Sequence, residues 1–286
     1  MAPPYVFIAD FFSHEIVGGG ELNNEELIKI LQEKGNEVIS LKSSQTSQDM
    51  IERYAGAYFI IANFMALREE SKDKIMSEQY IIYEHDHKYL KSRNPAKYEN
   101  FIAPSTEIIN YEFYKHAKGV FCQSEFHADI VRKNLKLDNI FSVGGNLWSE
   151  NCFAQMEILA AKPKQNKCSI MLSSIWHKNT DDAVSYCKYK EMEYELIPPS
   201  SHHAFLDRIS NNSKLVFFPK TPETLSRIVV EARMMNMGVV TNELVGASGE
   251  SWFNEKGESL IAIMKNRREE IPLKVMRVFN ENFTDS

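Results

Sequence analysis

Short apolar runs alternate with segments of helical character along most of this chain. The apolar runs fall at residues 5–9, 37–41, 58–62, 80–83, 119–122 and 140–143, and then at 169–172, 194–197, 215–218 and 239–241. Between them, helices are expected at 21–34, 180–188, 204–210 and 224–237. Strands that alternate with helices form parallel sheets with crossover helices. The sequence therefore predicts an α/β protein with two such sheets.

The length of the chain agrees with two domains. A chain of 286 residues is long for one hydrophobic core, because single cores stop growing at roughly 250–300 residues. The polar, proline-marked segment 162–167 has the composition of a linker. We therefore expect two Rossmann-like domains, at 1–160 and 161–286, which face each other across a cleft.

Composition excludes several classes of protein. The net charge of −6 argues weakly against general nucleic-acid binding, although a local basic patch is compatible with it. No apolar run approaches the roughly 20 residues that span a bilayer, and the N-terminus lacks the pattern of a signal peptide. The four cysteines, at 122, 152, 168 and 187, show neither close pairing nor metal spacing. We therefore expect a cytoplasmic protein without a transmembrane segment.

Two glutamates flank the start of the helix expected at 224–237. Glu223 lies in the loop after an apolar run that Pro219 ends, and Glu231 lies about two turns inside the helix. Such positions lie near the edge of a parallel sheet at which ligands bind. Free backbone N–H groups at 224–227 add an anion site between the two carboxylates. Acid groups for sugar hydroxyls beside a phosphate site suggest a nucleotide-sugar pocket.

Three consecutive glycines, Gly18, Gly19 and Gly20, separate the first strand from the first helix. Glycine lets the backbone approach a ligand closely, and the following helix N-terminus favours negative charge. A dinucleotide fingerprint requires the spacing G-x-G-x-x-G and an acid after the second strand, and neither is present. The glycines therefore indicate a ligand loop, with NAD excluded, in preference to a flexible surface loop.

Polar side chains follow directly after the apolar run at 80–83. His85, Asp86 and His87 occupy this position, which faces the ligand edge of the sheet. His85 and His87 point to opposite sides of an extended segment, and no further metal ligands are evident. We therefore expect no metal here. For His87, a structural role is as well supported as a functional one.

The chain resembles the GT-B glycosyltransferases, and in particular their large retaining group, family 4. That group carries a glutamate, seven intervening residues, a second glutamate and an alanine, as do Glu223, Glu231 and Ala232. The segments Phe121–Ser124 and Gly144–Trp148 also resemble family landmarks and appear in the family's order. The chain departs from the pattern at Leu225 and Ser226, where the family has Phe-Gly, and at Val239, where it prefers proline. Ser226 still offers a backbone N–H and adds a hydroxyl.

The resemblance implies roles for particular residues. His85 would reach the donor sugar, with Asp86 near the acceptor. Lys178 would neutralise the leaving diphosphate together with the Gly18–Gly20 loop and the helix start near Ser226. The family's arginine is Ser173 here, so Arg227 or Lys220 would have to supply the missing charge.

For the rest of the donor, the resemblance places the nucleotide base at the loop 197–203, which includes His202. The ribose hydroxyls would lie at Glu231 and the sugar hydroxyls at Glu223. The N-terminal domain would hold the acceptor and the C-terminal domain the nucleotide sugar.

One locally basic stretch with interleaved aromatic residues, 88–98, fits an anionic acceptor such as a phospholipid headgroup or DNA. We favour a solvated loop and helix face for it. The aromatic residues Phe101, Tyr111, Phe113 and Tyr114 are expected to pack in the core rather than to stack bases.

The function expected from the resemblance is transfer of a sugar from a nucleotide-diphosphate sugar to an acceptor hydroxyl of a glycan, lipid or small molecule. The anomeric configuration would be retained, and neither a metal nor a cofactor would be needed. Three alternatives stay open. They are another GT-B transferase (inverting, or acting on DNA bases), a sugar-nucleotide epimerase or phosphorylase, and a catalytically inactive relative that binds the nucleotide sugar.

Overall fold

The computed structural model describes residues 3–16 and 18–280, which form an α/β protein with two parallel sheets. Two compact units divide the chain. The first comprises residues up to Leu147 and those from Arg267 onward, and the second runs from Trp148 to Asn266. The predicted fold class, with two parallel sheets, is confirmed.

The first unit contains a parallel sheet of six strands in the order β2-β1-β3-β4-β5-β6. The strands are β1 (Tyr5–Ala9), β2 (Val38–Lys42), β3 (Tyr58–Ile61), β4 (Gln79–Glu84), β5 (Val120–Cys122) and β6 (Ile140–Ser142). The strand order reverses between β1 and β3. Because open α/β sheets bind ligands at the carboxyl ends of the strands beside such a switch point, the loops after β1, β3 and β4 are the relevant ones.

Side chains of the first sheet alternate between two separate apolar clusters. Val6 and Ile8 of β1 contribute to one cluster, whereas Tyr5 and Phe7 contribute to the other. This alternation follows from the two-residue period of a strand. Helices cover both faces, at α1 (Gly19–Glu33), α2 (Gln48–Arg53), α3 (Glu69–Ile75), α4 (Tyr111–His116) and α5 (Glu125–Leu135).

The second unit contains a four-stranded parallel sheet in the order β10-β9-β7-β8. Its strands are β7 (Gln165–Met171), β8 (Tyr194–Ile197), β9 (Asn212–Phe217) and β10 (Gly238–Thr241). Its helices are α6 (Glu150–Ala161), α7 (Thr180–Tyr189), α8 (His202–Ile209) and α9 (Arg227–Met234), followed by α10 (Glu258–Asn280), which continues into the first unit. The switch point of this sheet lies between β7 and β9.

The division of the chain differs from the expected boundary after residue 160 in two ways. Phe153 and Met156 of α6 are buried in the core of the second unit, so this helix belongs there and not to the N-terminal domain. Ile271 and Val275 of α10 are buried in a core cluster of the first unit. The end of the chain therefore returns to the first unit, because the apolar face of α10 completes one of its cores.

The helix expected at 224–237 is shorter in the structure. It begins at Arg227, because Ser226 has left-handed backbone angles (φ 74°, ψ 86°) that a helix interior does not allow. Among the described residues, no helix combines the length and apolarity needed to cross a bilayer.

Candidate functional site

A lysine–glutamate pair lies beside the switch point of the second sheet. Lys178 ends a 3-10 turn that follows β7, and Glu223 lies in the loop that follows β9. Lys178 Nζ is 2.7 Å from Glu223 Oε1, and the two side chains are 27% and 17% exposed. Because β7 and β9 flank the switch point, the pair occupies the edge at which such sheets bind ligands. The structure thus brings together two residues that the family resemblance assigned to the donor.

Backbone hydrogen bonds fix the position of Glu223. Its N–H donates to the carbonyl of Leu244 at 2.8 Å, and the N–H of Gly246 donates to the Glu223 carbonyl at 2.9 Å. Glu223 consequently forms an isolated parallel bridge with Val245. The loop after β10 therefore holds the carboxylate in front of Lys178.

Glu231 is buried in α9 and has several polar partners. Its Oε1 accepts a hydrogen bond from Trp148 Nε1 at 2.9 Å and lies 2.9 Å from His202 Nε2 and 3.6 Å from Arg227 Nε. Burial alone would raise the pKa of Glu231, but His202, Arg227 and Trp148 together lower it to about 2. Glu231 is therefore a carboxylate at neutral pH. Only 3% of its side chain is exposed, so His202, at 29%, lies closer to solvent.

Ser226 occupies the position before the first residue of α9. A serine here usually caps the helix with its hydroxyl, but in the left-handed conformation its side chain makes no capping hydrogen bond. The Oγ atom is buried and has no hydrogen-bond partner among the described residues. The serine therefore takes a backbone conformation that glycine adopts without strain.

Two cations were candidates to replace the family's arginine, which is Ser173 here. The Arg227 guanidinium lies 4.5 Å above the Trp148 ring, and Lys220 Nζ lies 5.4 Å from the Trp176 ring centre. Arg227 also approaches Glu231. Ser173 stabilises the loop that contains it, since its hydroxyl accepts a hydrogen bond from the backbone N–H of Ile175 at 3.2 Å.

The three glycines of the first unit, expected to form a ligand loop, lie at the start of the first helix. Gly18 is extended, with φ −125°, and α1 begins at Gly19, so none of the three needs a left-handed conformation. Gly20 lies beside His85, and a Cβ there would be in ordinary van der Waals contact with Cγ of that ring, at 3.5 Å. The structure thereby places the glycine segment against the predicted site histidine.

His85 follows β4 and is held by two amides. Its Nε2 lies 2.5 Å from Asn24 Oδ1, and Gln123 Nε2 donates to its Nδ1. The ring also packs edge-on against Tyr83 at 4.9 Å between centroids. An amide oxygen accepts and an amide nitrogen donates, so the contacts correspond to a neutral imidazole with its proton on Nε2. With both ring nitrogens engaged by amides, neither is available as a general base in this arrangement.

Asp86 is bound by two cations instead of pointing freely to a ligand. Its Oδ1 lies 2.9 Å from Lys88 Nζ, and its Oδ2 pairs with Arg93. Burial alone would raise the pKa of Asp86, but Lys88 and Arg93 hold it well below the usual range. Asp86 is therefore ionised and structurally engaged, which makes it unsuitable as a proton acceptor.

His87 lies in the protein interior, with 3% of its surface exposed. Its ring packs edge-on against His127 at 5.1 Å, and its Nδ1 lies 3.2 Å from the hydroxyl of Tyr89. Burial, reinforced by the proximity of His127, lowers the pKa of His87 well below its usual value. The structural interpretation of His87 is the one that the structure supports.

The basic stretch 88–98 was expected to be solvated, and for its first residues that expectation is wrong. Lys88, Tyr89 and Leu90 are fully buried, because the chain turns inward directly after β4 and packs against the core. Of the four aromatic residues expected in the core, Phe113 and Tyr114 are buried in the same core cluster. For the other two the expectation is not met, since Tyr111 is 39% exposed and Phe101 is only half-buried.

Comparison with solved structures places this geometry in a known architecture. The Anabaena protein Alr3699/HepE, solved with UDP and glucose, matches at a TM-score of 0.55 and 12% identity, covering 98% of this chain and 93% of that one. Its structure with UDP-glucose matches at 0.53 and 12%, covering 98% of each chain. Sucrose-phosphate synthase from Thermosynechococcus elongatus matches at 0.55 and 10%, covering 98% and 92%. These are GT-B glycosyltransferase structures. The chain has the GT-B fold.

No protein-family model and no curated protein sequence matches the chain. The GT-B assignment therefore rests on the three-dimensional likeness, which extends over nearly the whole chain although few residues are identical. Within the described part of the chain, no group of three or more histidine, cysteine or acidic side chains is arranged to hold a metal ion.

Three residues of the candidate site were missed at the sequence level. Asn24 and Gln123 hold His85, and Trp148 binds Glu231. Gln123 directly follows β5, a ligand-edge position that could have indicated it. Asn24 lies inside a helix and Trp148 at the start of the second unit, and neither carries a local signal of its role.

Proposed function

We propose that this protein is a glycosyltransferase that moves a sugar from a nucleotide-diphosphate sugar to an acceptor hydroxyl. The Lys178–Glu223 contact at the switch point of the second sheet is the observation that carries the proposal. A bound donor offers both residues new partners, since its diphosphate attracts the ammonium and its sugar hydroxyls donate to the carboxylate.

The second unit supports the nucleotide end of the donor. Glu231 is ionised, and it can accept hydrogen bonds from ribose hydroxyls once His202 moves aside. The N-terminus of α9 follows Ser226. A helix N-terminus favours an anion such as the diphosphate. The UDP and UDP-glucose in the HepE structures support a uridine donor.

In the first unit, His85 remains the proposed contact to the transferred sugar. A sugar hydroxyl would replace one of the two amides, Asn24 or Gln123, at a ring nitrogen. The acceptor, a glycan, lipid or small molecule, is assigned to this unit, whereas the Gly18–Gly20 segment is assigned to the leaving diphosphate.

The proposed reaction retains the anomeric configuration and uses neither metal nor cofactor. The carboxylate of Asp86 is engaged in two ion pairs, so we do not assign it as a nucleophile. We assign no other carboxylate of the described first unit to that role either. We therefore favour front-face displacement, in which Lys178 stabilises the leaving diphosphate. The cytoplasm remains the proposed location, because the four cysteines show neither close pairing nor metal spacing in the sequence.

Titration with nucleotide sugars tests the proposal. We expect UDP-glucose to bind to the wild-type protein in calorimetry and to raise its melting temperature, and Lys178→Ala to weaken binding at least tenfold. Product anomers identified by NMR, with and without a chelator, test retention and metal independence. A protein that binds no nucleotide sugar would contradict the proposal.

A second candidate is a protein that binds the nucleotide sugar without transferring it. The uncharged Ser173 in place of the family's arginine favours this alternative, since it leaves one cation fewer near the leaving group. The same experiment separates the two functions. If the protein binds UDP-glucose but shows neither sugar transfer nor slow hydrolysis of the donor, it is the binding protein.

A further inference from the structure

A second lysine–glutamate pair follows β4, and unlike the first it is completely buried. Lys88 Nζ lies 2.5 Å from Glu84 Oε1, and both side chains are 0% exposed. The same ammonium lies 2.9 Å from Asp86 Oδ1 and 5.6 Å from the centre of the Phe64 ring. No ligand can reach Lys88, so the pair has no direct part in binding or chemistry.

A buried ion pair of this kind is a poor device for stability alone. Removing two charges from water costs several kcal/mol per ion, and well-packed apolar residues often stabilise a protein as well or better. The presence of the pair therefore calls for another explanation, and its contacts with the surrounding backbone supply one.

Hydrogen bonds of this network hold the backbone on both sides of His85. Glu84 Oε1 accepts a hydrogen bond from the N–H of Asp86 at 3.0 Å, so one carboxylate spans the histidine. The hydroxyl of Tyr114 donates to the other oxygen of Glu84. On the far side, the carbonyl of Asp86 accepts from His127 Nε2 at 3.0 Å.

The imidazole of His85 itself lies away from this network. Successive side chains of a strand point to opposite faces, and His85 contacts Asn24 and Gln123 whereas Glu84 contacts Lys88 and Tyr114. The amides therefore orient the ring, and the buried charges determine where its backbone lies.

We propose that the buried Lys88–Glu84 pair, with Asp86, sets the backbone position of His85, which makes Lys88 a positioning residue for the transfer reaction. The assignment of a reaction to His85 rests on the proposed function, but the positioning effect does not. Lys88 touches no substrate. It acts by keeping the Glu84 carboxylate where it can bind the N–H of Asp86.

The test compares two variants. Lys88→Met leaves Glu84 and Asp86 without their shared cation and is expected to lower the melting temperature strongly. The double variant Glu84→Gln with Lys88→Met removes both charges of the pair at similar volume, and it is expected to regain most of the lost stability. Its Asp86 remains paired with Arg93.

Catalysis is measured on the double variant with a UDP-sugar donor. We expect kcat to fall about 10- to 100-fold with the donor KM nearly unchanged, because misplacement of a contact residue by about 1 Å has effects of this size. A double variant with wild-type stability and wild-type kcat would overturn the proposal. Neutralising an exposed pair, Lys133→Met with Asp129→Asn, is the matched control and should change nothing.

A second readout does not depend on transfer activity. The ring nitrogens of His85 are followed by NMR in protein labelled at histidine and assigned with His85→Gln. We expect their resonances to shift in the double variant and to stay in place in the exposed-pair control. If the double variant does not fold, Glu84→Met alone, which removes the acceptor for the N–H of Asp86, is measured in the same way, and unchanged His85 resonances then refute positioning.

The two readouts separate this inference from the proposed function. A wild-type protein without transfer activity, whose His85 resonances still shift in the variants, refutes the function and retains the positioning role. A double variant that is active and whose His85 resonances do not shift refutes the positioning role and retains the proposed function.

Discussion

The two lysine–glutamate pairs of this protein have the same chemistry and opposite settings. Lys178 and Glu223 remain partly exposed, at 27% and 17%, beside the switch point of the second sheet. Lys88 and Glu84 are fully buried behind the end of β4. A pair that solvent can reach can exchange its partner for a ligand, whereas a buried pair can only hold the structure around it. Burial, and not residue type, therefore separates the binding role proposed for the first pair from the positioning role proposed for the second.

The largest expected difference between the pairs is in stability. Lys88→Met should lower the free energy of unfolding by about 3–5 kcal/mol, because it leaves buried carboxylates without their cation. Lys178→Met should cost no more than about 1 kcal/mol, as is typical of partly solvated pairs. Urea unfolding of both variants measures the contrast. Equal losses would show that burial does not distinguish the pairs.

For activity we expect the reverse order, with the larger loss at the pair that would contact the donor directly. Lys178→Ala is expected to reduce kcat about 10²- to 10³-fold, since a group that stabilises charge developing in the transition state typically contributes this much. Steady-state kinetics with a UDP-sugar donor measures the loss. Lys220→Ala tests the rival cation, since Lys220 is one of the two candidates for the missing charge. A larger loss in that variant would move the leaving-group role from Lys178 to Lys220.

The buried carboxylate Glu231 extends the comparison to pH. Its pKa is about 2 in the folded protein against an ordinary value of 4.5. A lowered folded-state pKa gives stability that is fully present above pH 4.5 and is lost as the pH falls towards 2. The contribution is about 3 kcal/mol. Unfolding measured between pH 6 and 2.5 should be less steep in pH for Glu231→Gln than for wild type, and identical slopes would contradict the buried network.

The smallest effect concerns the strained serine between the two donor-side glutamates. Ser226→Gly should stabilise the protein by about 1 kcal/mol, because glycine adopts a positive φ without the steric cost that serine has. Ser226→Ala keeps that cost and should give no such gain. Thermal unfolding of the two variants makes the comparison, and a destabilised glycine variant would show that the hydroxyl has a structural partner.

Much of the fold could be predicted from the sequence because strand formation here is a local matter. The strands β1 and β8 were predicted with the residue bounds that the structure has, and Gly238 marks the start of β10 after a helix. Glu223 and Glu231 were correctly placed in a loop and in the following helix, since Pro219 and the apolar spacing of α9 are local signals. Contacts of the kind that hold His85 could not be predicted in this way. Gln123 lies 38 residues from His85 in the chain and Asn24 lies 61 residues away.

By itself the sequence determined an α/β chain with two parallel sheets and acidic and basic side chains at their ligand edges, because apolar runs, prolines and glycines act over a few residues. Only the tertiary structure decided which of those side chains are buried. Lys88 looks like a solvated lysine in the sequence, and it is interior because Phe64, Glu84 and Tyr114 surround its position. The packing of α10 against the first unit and the contacts of Glu231 likewise follow only from the tertiary structure. Burial depends on residues that are distant in the chain and adjacent in space.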